Sequence, residues 1–314
     1  MPDDRKKQSE IIKAMAKKHG FDDCGISEAI PLNKEAGYLK QWLRENRHGE
    51  MQFMNNYFEK RTNPAKLVPG TKSIVSVIHN YYPGSPEPSD TYKISKYAYG
   101  RDYHKVVKKK LKGLFKSIQE NIGEEITGRY FVDSAPVMEK VWAEKAGLGW
   151  IGKNTNLITK KHGSYVFLGE IFLNIELEYD NRPVKDYCGS CKKCIEACPT
   201  NALYAPYHID ASRCISYLTI EKKGQLPPQM KDLLNDWIFG CDICQNVCPW
   251  NQNLSVHQEP ELKPHPAIFE LSKNDWEHLS QDRYNELFDR SAIKRTGYRG
   301  LLRNIDANTD SRQH

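Results

Sequence analysis

The sequence predicts an α+β fold, in which an α/β-type sheet domain is followed by a smaller cysteine-rich domain. Two observations support this prediction. Helical and strand patterns alternate through roughly the first 180 residues, and eight of the nine cysteines stand between positions 188 and 248. The cysteine runs are also the one internal repeat of the chain. We therefore expect a first domain over 1–180, a second over 181–255 and a basic helical extension over 256–314.

The individual elements follow from the spacing of apolar residues and from the residues that end each pattern. The stretch "SIVSVIHNYY" is apolar and β-branched, lies between Gly70 and Pro83, and predicts a buried strand. A further helix is predicted from Ser134, with Pro136 in its first turn, to the glycines of "AGLG". The other predicted elements are helices over 5–19, 36–59 (interrupted at Gly49) and 103–122, strands over 73–82, 128–133 and, singly or as a pair, 164–178, and a loop over 83–90.

Charge and hydropathy argue against a membrane-spanning protein. No stretch approaches the ~20 apolar residues that a spanning helix needs. The N-terminus "MPDDRKKQSEIIKAM" lacks the apolar core of a secretory signal, so we expect a cytoplasmic protein. The formal net charge of +6 permits an anionic partner without requiring one.

The cysteine spacing predicts two [4Fe–4S] clusters in a bacterial ferredoxin-like domain. The run "CGSCKKCIEACP" has the ferredoxin spacing C-x2-C-x2-C-x3-C-P, in which the fourth cysteine ligates the other cluster. The run "CDICQNVCP" repeats the end of this pattern with one ligand fewer, and Cys214 can complete the set. We assign cluster A to Cys188, Cys191, Cys194 and Cys248, and cluster B to Cys198, Cys214, Cys241 and Cys244.

Two other uses of the cysteines fit the pattern less well. Disulfides require an oxidising compartment, and the N-terminus has no secretory signal that would direct the chain to one. Zinc accepts four thiolates, but zinc sites rarely interleave their ligands or place a proline after the last cysteine. Cys24 stays outside both sets, and its role is open.

Electrons held by such clusters need an acceptor, and the first 180 residues should house it. No P-loop is present, and "GLGWIGKN" follows a predicted helix instead of a strand, so a Rossmann nucleotide site is not expected. A corrinoid site with an axial histidine would need the pattern D-x-H-x-x-G. The segment "DYHKVV" supplies Asp102 and His104 but has Val107 in place of the glycine. A corrinoid bound here would therefore lack a histidine lower ligand.

Several longer segments resemble the epoxyqueuosine reductase family. They are "SKYAYGRDYHKVVKKKL", "FVDSAPVMEKVWAEKAGLGWIGKNTNLI", the two cysteine runs and "RTGYRGLLRNIDAN". The resemblance covers nearly the whole chain and implies an oxidoreductase that reduces epoxyqueuosine to queuosine at the wobble position of tRNA. It also implies cobalamin as a cofactor, with cob(I)alamin generated through the two clusters. Longer family members continue past "LLRN" into a helical-repeat segment, so the chain resembles a short form without that segment.

Two rival functions remain open at this point. The chain is also similar to the cobalamin module of reductive dehalogenases, which typically carry a twin-arginine export signal that residues 1–30 lack. A ferredoxin-type electron carrier would need no N-terminal domain of this size.

The resemblance implies a catalytic role for Asp133. This residue matches the aspartate of the family's "VDSAPV" segment, which acts as the proton donor. The alternative role is a helix N-cap, at which Asp is common. For a proton donor, we expect burial beneath the apolar corrin face to raise the pKa of the carboxyl.

Other residues are expected to contact the cofactor. The segment "GWIGKNTN" offers close backbone approach and polar side chains to a corrinoid rim. The segments "CISY" and "FGCD" each include a predicted ligand of cluster B. The predicted cobalamin contacts are Tyr57, Tyr97, Asp133, Lys153, Asn154, Thr155, Asn156, Ser216, Tyr217, Gly240 and Asp242.

Basic residues form a candidate surface for the tRNA. Four lysines of the helix over 103–122 recur at helical spacing and share one face, for which a merely solvated surface is the alternative. The predicted tRNA contacts are Arg101, Lys105, Lys108, Lys109, Lys112, Arg295, Arg299 and Arg303. The remaining partner is expected to be an external electron donor such as a flavodoxin or ferredoxin system, and the protein is expected to be a monomer.

Overall fold

The computed structural model of the protein describes residues 2–84, 89–180 and 184–310. Its helices are α1 (Pro2–Lys18), α2 (Asn33–Arg44), α3 (Phe58–Thr62), α4 (Pro64–Leu67), α5 (Tyr103–Ile122), α6 (Glu139–Lys145), α7 (Lys193–Glu196), α8 (Ile215–Ile220), α9 (Pro228–Lys231), α10 (Ile243–Asn246), α11 (Ala267–Glu270), α12 (Lys273–Glu277), α13 (Gln281–Phe288) and α14 (Gly297–Asp310). Its strands are β1 (Asp23–Glu28), β2 (Ser73–Asn80), β3 (Lys93–Ile94), β4 (Gly128–Phe131), β5 (Trp150–Ile151), β6 (Leu157–Ile158), β7 (Val166–Leu173) and β8 (Trp237–Phe239). Among the helices of these ranges, none has the length and apolar character needed to cross a membrane.

A four-stranded antiparallel sheet in the order β1-β2-β7-β4 organises the N-terminal part. Every residue of β2 is buried, as expected for a strand that is covered on both faces. Helices α1 and α5 cover one face, where Ile12 and Leu111 pack against Val75 and Ile171 in the largest core. Asp102 caps α5 by accepting a hydrogen bond from the backbone N–H of His104.

Helix α6 covers the other face of the sheet. Phe172 points to this face because it neighbours Ile171 in the strand, and successive side chains alternate. Its ring packs against Trp142 of α6, with the ring centroids 6.4 Å apart. A Cβ at Gly25 of β1 would lie 2.2 Å from the carbonyl oxygen of Ala146, so only glycine permits this close approach of α6. The packing fixes the first residue of α6, Glu139, relative to the sheet.

The C-terminal part packs on residues that come early in the chain. Strand β3 pairs in parallel with β8. A second core joins Tyr92 and Tyr99 to Trp276 and Phe288 of the last helices. The predicted boundary after residue 180 borders residues 181–183, which lie outside the described ranges, and the division into three domains stays a prediction.

Several predicted elements are confirmed. The helix predicted over 103–122 coincides with α5, and the helix over 5–19 matches α1 except for an earlier start. The predicted strands contain β2, β4 and, as a single strand, β7. The predicted loop over 83–90 includes residues 85–88, which lie outside the described residues.

Two predicted helices are wrong in extent. The helix over 36–59 ends at Arg44, because Asn46, Gly49 and Tyr57 adopt left-handed φ angles of 54°, 59° and 58°. Ser134 does not cap α6, which begins five residues later. Pro136 disfavours the α region for the residue before it, so the chain bends there before the helix begins.

Strand β1 was not predicted, because it is short and contains a glycine.

Candidate active site

A cavity of about 580 Å³, here called the main cavity, is lined by residues from both parts of the chain. The N-terminal part contributes Asp133 and the ring of Phe167, among others. The cysteine-rich part contributes the four cysteines assigned to cluster B: Cys198, Cys214, Cys241 and Cys244. The main cavity therefore brings together a carboxyl group and one complete set of predicted cluster ligands.

The other four cysteines line a second cavity of about 120 Å³, here called the cluster A cavity. They are Cys188, Cys191, Cys194 and Cys248, which are the residues assigned to cluster A. Burial raises the pKa of the Cys194 thiol, and the neighbouring sulfurs of Cys188 and Cys248 raise it further. The grouping by cavity agrees with the interleaved assignment, and the ligand roles themselves stay a prediction.

Asp133 lies on a strained turn between β4 and α6. Its φ of 50° is left-handed, which is uncommon for a residue other than glycine and costs about 1–3 kcal/mol. Three contacts hold it there. Its carboxylate accepts a short hydrogen bond from the hydroxyl of Tyr103 and lies 3.3 Å from Nε2 of His104, and its backbone N–H donates a short hydrogen bond to Glu139.

Tyr103 and His104 are themselves fixed by the first turn of α5. The Tyr103 ring stacks on Phe167 of β7, with centroids 4.2 Å apart and ring planes 3° from parallel. Nδ1 of His104 lies 2.8 Å from Oδ1 of Asp102. The side chains that contact the Asp133 carboxylate are thus held by the sheet and by the helix cap.

The pKa of Asp133 does not follow the expectation from the sequence. Desolvation by the surrounding protein acts to raise it, although the side chain is 57% exposed where it faces the cavity, and the hydrogen bonds from His104 and Tyr103 outweigh this effect and leave the pKa below its usual value. The pKa of His104 is raised to about 9 in spite of burial, because Asp102 and Asp133 stabilise the imidazolium. Without substrate, Asp133 is therefore a carboxylate beside a protonated imidazole.

The raised carboxyl pKa values belong to two neighbours of Asp133. Burial, together with the charge of Asp133, raises the pKa of Glu139 to about 8. Burial, together with the charge of Glu139, raises the pKa of Glu170 well above its usual value. Glu170 lies in β7 and has no exposed surface. At neutral pH, protons reside on the two glutamates next to Asp133.

Six of the predicted cobalamin contacts line the main cavity. They are Tyr97, Asp133, Asn154, Thr155, Asn156 and Ser216. The other five are placed differently. Tyr57 is 65% exposed and is not among the lining residues of the main cavity, and Lys153 donates hydrogen bonds to the carbonyls of Gly189 and Cys191 beside the cluster A cavity.

The last three of these five residues act within the protein. The Tyr217 hydroxyl accepts a hydrogen bond from the backbone N–H of Glu50. Gly240 donates its N–H to Thr219. Asp242 is fully buried and accepts hydrogen bonds from Ser95 and from the backbone of Lys96. None of these three residues is among the described residues that line the main cavity, and their contact with cobalamin stays a prediction.

Most of the predicted tRNA contacts are exposed, and some of them, including Lys109 at 3.7 Å from Glu261, also have partners within the protein. Lys105, Lys108, Lys109 and Lys112 are exposed along one face of α5, and Arg299 is exposed on α14. Three arginines are engaged within the protein. Arg101 pairs with Glu261, and Arg295 donates two hydrogen bonds of 3.1 Å to Glu221. Arg303 donates to the carbonyls of Leu218, Lys222 and Gly224, and its contact with tRNA stays a prediction.

Four residues around Asp133 were not predicted from the sequence to have a role at the site. They are Tyr103, His104, Glu139 and Glu170. Glu170 carried a signal, because a charged residue inside the apolar strand "VFLGEIFL" is unusual unless it has a function. For Glu139 the sequence carried no such signal, because a glutamate at the start of a helix is ordinary.

Comparisons with known proteins place this geometry in a family. The family model described as "Epoxyqueuosine reductase QueG, DUF1730" matches residues 61–134, and the "4Fe-4S double cluster binding domain" model matches residues 187–251. An epoxyqueuosine reductase of Cellulophaga algicola is 52% identical over 302 residues, which are 96% of this chain and 98% of that protein. The chain belongs to the epoxyqueuosine reductase family.

Two solved structures show that the family resemblance extends to the fold. An epoxyqueuosine reductase with a tRNA-Tyr epoxyqueuosine-modified stem loop matches with a TM-score of 0.89 and 31% identity, covering 97% of this chain and 81% of that one. The epoxyqueuosine reductase from Bacillus subtilis matches with a TM-score of 0.88, 31% identity and coverage of 97% and 82%. In that structure a catalytic loop named after an aspartate is swung out of the active site.

The residues of this chain can be compared with what the cofactors expected from the sequence require. The segment 187–251 is a 4Fe–4S double-cluster binding domain, and thiolates are the ligands such clusters require. For a corrinoid, the main cavity offers polar side chains on one segment, at Asn154, Thr155 and Asn156. The side-chain nitrogen of Asn154 is buried and has no hydrogen-bond partner among the described residues, so a bound amide or phosphate oxygen would satisfy it.

Proposed function

We propose that this protein reduces epoxyqueuosine to queuosine in the anticodon loop of tRNA, with cobalamin in the main cavity and Asp133 as the proton donor. One observation carries the proposal: Asp133 and the cluster B cysteines line the same cavity. This shared cavity supports the proposal, because a reductive epoxide opening requires a proton source and an electron source around one space. Family membership supports the same activity.

The reaction sets clear demands on the residues of the cavity. Conversion of an epoxide to an alkene consumes two electrons and two protons and releases water. When bound, cobalamin would supply the two electrons, and the clusters would serve to reduce it again. Asp133 delivers a proton to the epoxide oxygen, which would otherwise leave as a poorly stabilised alkoxide. A positioned acid of this kind is worth roughly 10²–10⁴ in rate.

Tyr103 and His104 orient the donor for this step. The Tyr103 hydroxyl and the His104 imidazolium hold the carboxylate of Asp133 toward the cavity. Substrate that covers this pair excludes water, and loss of water raises the cost of the carboxylate charge. The same binding event that places the epoxide oxygen beside Asp133 therefore favours the protonated acid.

Electrons are proposed to enter at the cluster A cavity from an acidic donor such as a flavodoxin or ferredoxin. Lys192 and Lys193, inside the first cysteine run, are both exposed. The ammonium of Lys160 lies 4.4 Å from the ring centroid of Tyr187, which lines that cavity. A basic surface at this point steers an acidic partner to cluster A.

The exposed lysine face of α5 is proposed to bind tRNA phosphates. This face follows Tyr103 directly in the helix, so it begins beside the main cavity. A wobble base lies in a single-stranded loop and can be turned into a pocket at modest cost. We further propose that the protein acts as a monomer, since one chain supplies every protein group that the reaction uses. Its proposed compartment is the cytoplasm.

The experiment that tests the proposal is conversion of epoxyqueuosine in tRNA by anaerobically purified protein with its clusters assembled. Product should form when cobalamin and a chemical reductant are both supplied, and removal of either should abolish it. Conversion that proceeds equally well without cobalamin would overturn the cofactor assignment. Absence of conversion, combined with reductive removal of halide from a halogenated phenol, would instead favour the dehalogenase alternative.

A further inference from the structure

We infer that Glu139, with Glu170 behind it, is the proton reservoir that recharges Asp133 within a single turnover. The inference rests on the proposed function, because that reaction delivers two protons to the same substrate oxygen. One carboxyl group holds one proton. A second proton must therefore reach Asp133 while the substrate still covers it.

Glu139 is positioned for this transfer. It is the first residue of α6 and lines the main cavity together with Asp133. Its Oε1 accepts the backbone hydrogen bond of Asp133. The two carboxyl groups are consequently held on one short segment, and each stays near the other for as long as this hydrogen bond persists.

Glu170 lies behind Glu139 and faces no solvent. In the sheet it stands between Ser76 of β2 and Phe131 of β4. Both of its carboxyl oxygens are buried, and its side chain lies within interaction range of the Glu139 carboxyl group. A carboxylate in such surroundings is very costly, so Glu170 remains neutral and carries a proton.

The charges around Asp133 and Glu139 favour a proton on Glu139 over a proton on Asp133. Arg61, His104, Lys140 and Arg295 all favour the charged form of Asp133. Burial and the negative charge of Asp133 both favour the protonated form of Glu139. In the enzyme without substrate the pair therefore holds one titrating proton, which lies on Glu139.

The proton balance of the proposed turnover is complete with these groups. Asp133 takes up one proton from solvent as substrate binds and favours its protonated form, and this O–H bond then breaks as an O–H bond forms on the epoxide oxygen. The proton of Glu139 then moves to Asp133, and from there to the same oxygen, which leaves as water. The two electrons come from the bound reductant. Glu139 regains its proton from Glu170 or from solvent after the product leaves.

The test compares Glu139→Gln with wild type in single-turnover conversion by pre-reduced holoenzyme. Glutamine can still accept the Asp133 hydrogen bond but cannot donate an acidic proton. We expect a rate loss of about 10²-fold, at the lower end of the range for a positioned acid or base, with cobalamin and iron content unchanged. In wild type the rate should fall as the pH rises through about 8, because Glu139 must be protonated, and Glu139→Gln should lose this limb. Glu139→Asp should restore part of it.

Glu144→Gln is the matched control. Glu144 lies on the same helix and accepts a backbone hydrogen bond from Ile151, just as Glu139 accepts one from Asp133. It does not line the main cavity as the described residues define it. We expect its rate and pH profile to equal those of wild type.

An infrared measurement on cofactor-free protein tests the inference without an activity assay. Wild type should show a carboxylic-acid carbonyl band that disappears as the pH rises through about 8, and Glu139→Gln should lack it. Glu170→Gln should remove a second acid band that persists at higher pH. Absence of the titrating band in wild type would overturn the inference even if the protein converts its substrate. A wild-type rate and an intact alkaline limb in Glu139→Gln would also overturn it.

Discussion

Nε2 of His104 lies 3.3 Å from Oδ2 of Asp133, while Nδ1 of the same ring lies 2.8 Å from Oδ1 of Asp102. One imidazole therefore bridges two carboxylates at the start of α5. The two negative charges raise the pKa of His104 to about 9, so the ring is charged at neutral pH. Both ring nitrogens are engaged, and the bridge ties the strained Asp133 turn to the helix.

The bridge predicts a pH-dependent contribution of His104 to stability. Its folded pKa of about 9 exceeds its ordinary value near 6.5, so the contribution is fully present below about pH 6.5 and is lost as the pH rises through about 9. We expect His104→Gln to destabilise the protein by at most about 1 kcal/mol at pH 6, because the ring is partly exposed. Urea unfolding should show this difference vanishing by about pH 10.

The control is His278→Gln, which removes an exposed imidazole at the end of α12. Its free energy of unfolding should follow that of wild type across the same range. A His104→Gln difference that stays constant from pH 6 to pH 10 would mean that the bridge carries no charge.

The grouping of the cysteines predicts which cluster each substitution removes. Anaerobic wild-type protein should hold roughly eight iron and eight sulfide atoms per chain. Cys214→Ser should remove the cluster B signal in electron paramagnetic resonance and leave cluster A, and Cys248→Ser should do the reverse. Cys24→Ser should change neither cluster, because Cys24 packs against the largest core and is distant in sequence from both groups of cysteines. Stoichiometric zinc with little iron would refute the assignment.

The lysine face of α5 predicts the salt dependence of tRNA binding. Phosphate contacts release counterions, so affinity falls steeply with salt in proportion to the number of contacts. Replacement of Lys108, Lys109 and Lys112 by glutamine should reduce the logarithmic slope by about two if all three bind a single-stranded loop. The control replaces Lys6, Lys7 and Lys17 of α1, which are also exposed, by glutamine, and so removes the same amount of charge. Equal slopes for the two triple variants would show that the α5 face is only solvated.

The basic residues of the first cysteine run predict a donor-specific effect. Lys192→Gln combined with Lys193→Gln should slow reduction by a flavodoxin several-fold at low ionic strength, because steering by charge weakens. Reduction by dithionite, a small chemical reductant, should keep its wild-type rate. If dithionite reduction slows to the same extent, the lysines affect the cluster itself and do not form the docking surface.

Much of the fold could be predicted because its strongest elements are locally encoded. Strand β2 is a continuous apolar run, and α5 repeats its apolar residues at helical spacing over twenty positions. The helix predicted over 36–59 failed because left-handed residues such as Asn46 and Tyr57 interrupt it. Asparagine tolerates that conformation, but nothing in the local pattern shows that Tyr57 adopts it.

The site was predictable where spacing determines chemistry and unpredictable where packing does. Cysteine spacing alone led to two groups that the structure places in two cavities. The low pKa of Asp133 depends on Tyr103 and His104, which reach it only because β4 and α5 pack together. The hydrogen bonding of Arg303 likewise depends on carbonyls about eighty residues earlier in the chain.

The most direct test of the account is single-turnover conversion of epoxyqueuosine in tRNA by Asp133→Asn, measured with its cobalamin and iron content. Asparagine is nearly isosteric and keeps hydrogen-bonding capacity, but it cannot serve as the acid. We predict that the variant retains both cofactors and a reducible cobalt, while the rate falls by about 10²–10⁴. A rate within a few-fold of wild type in the fully loaded variant would contradict the account, because the proton would then come from another group.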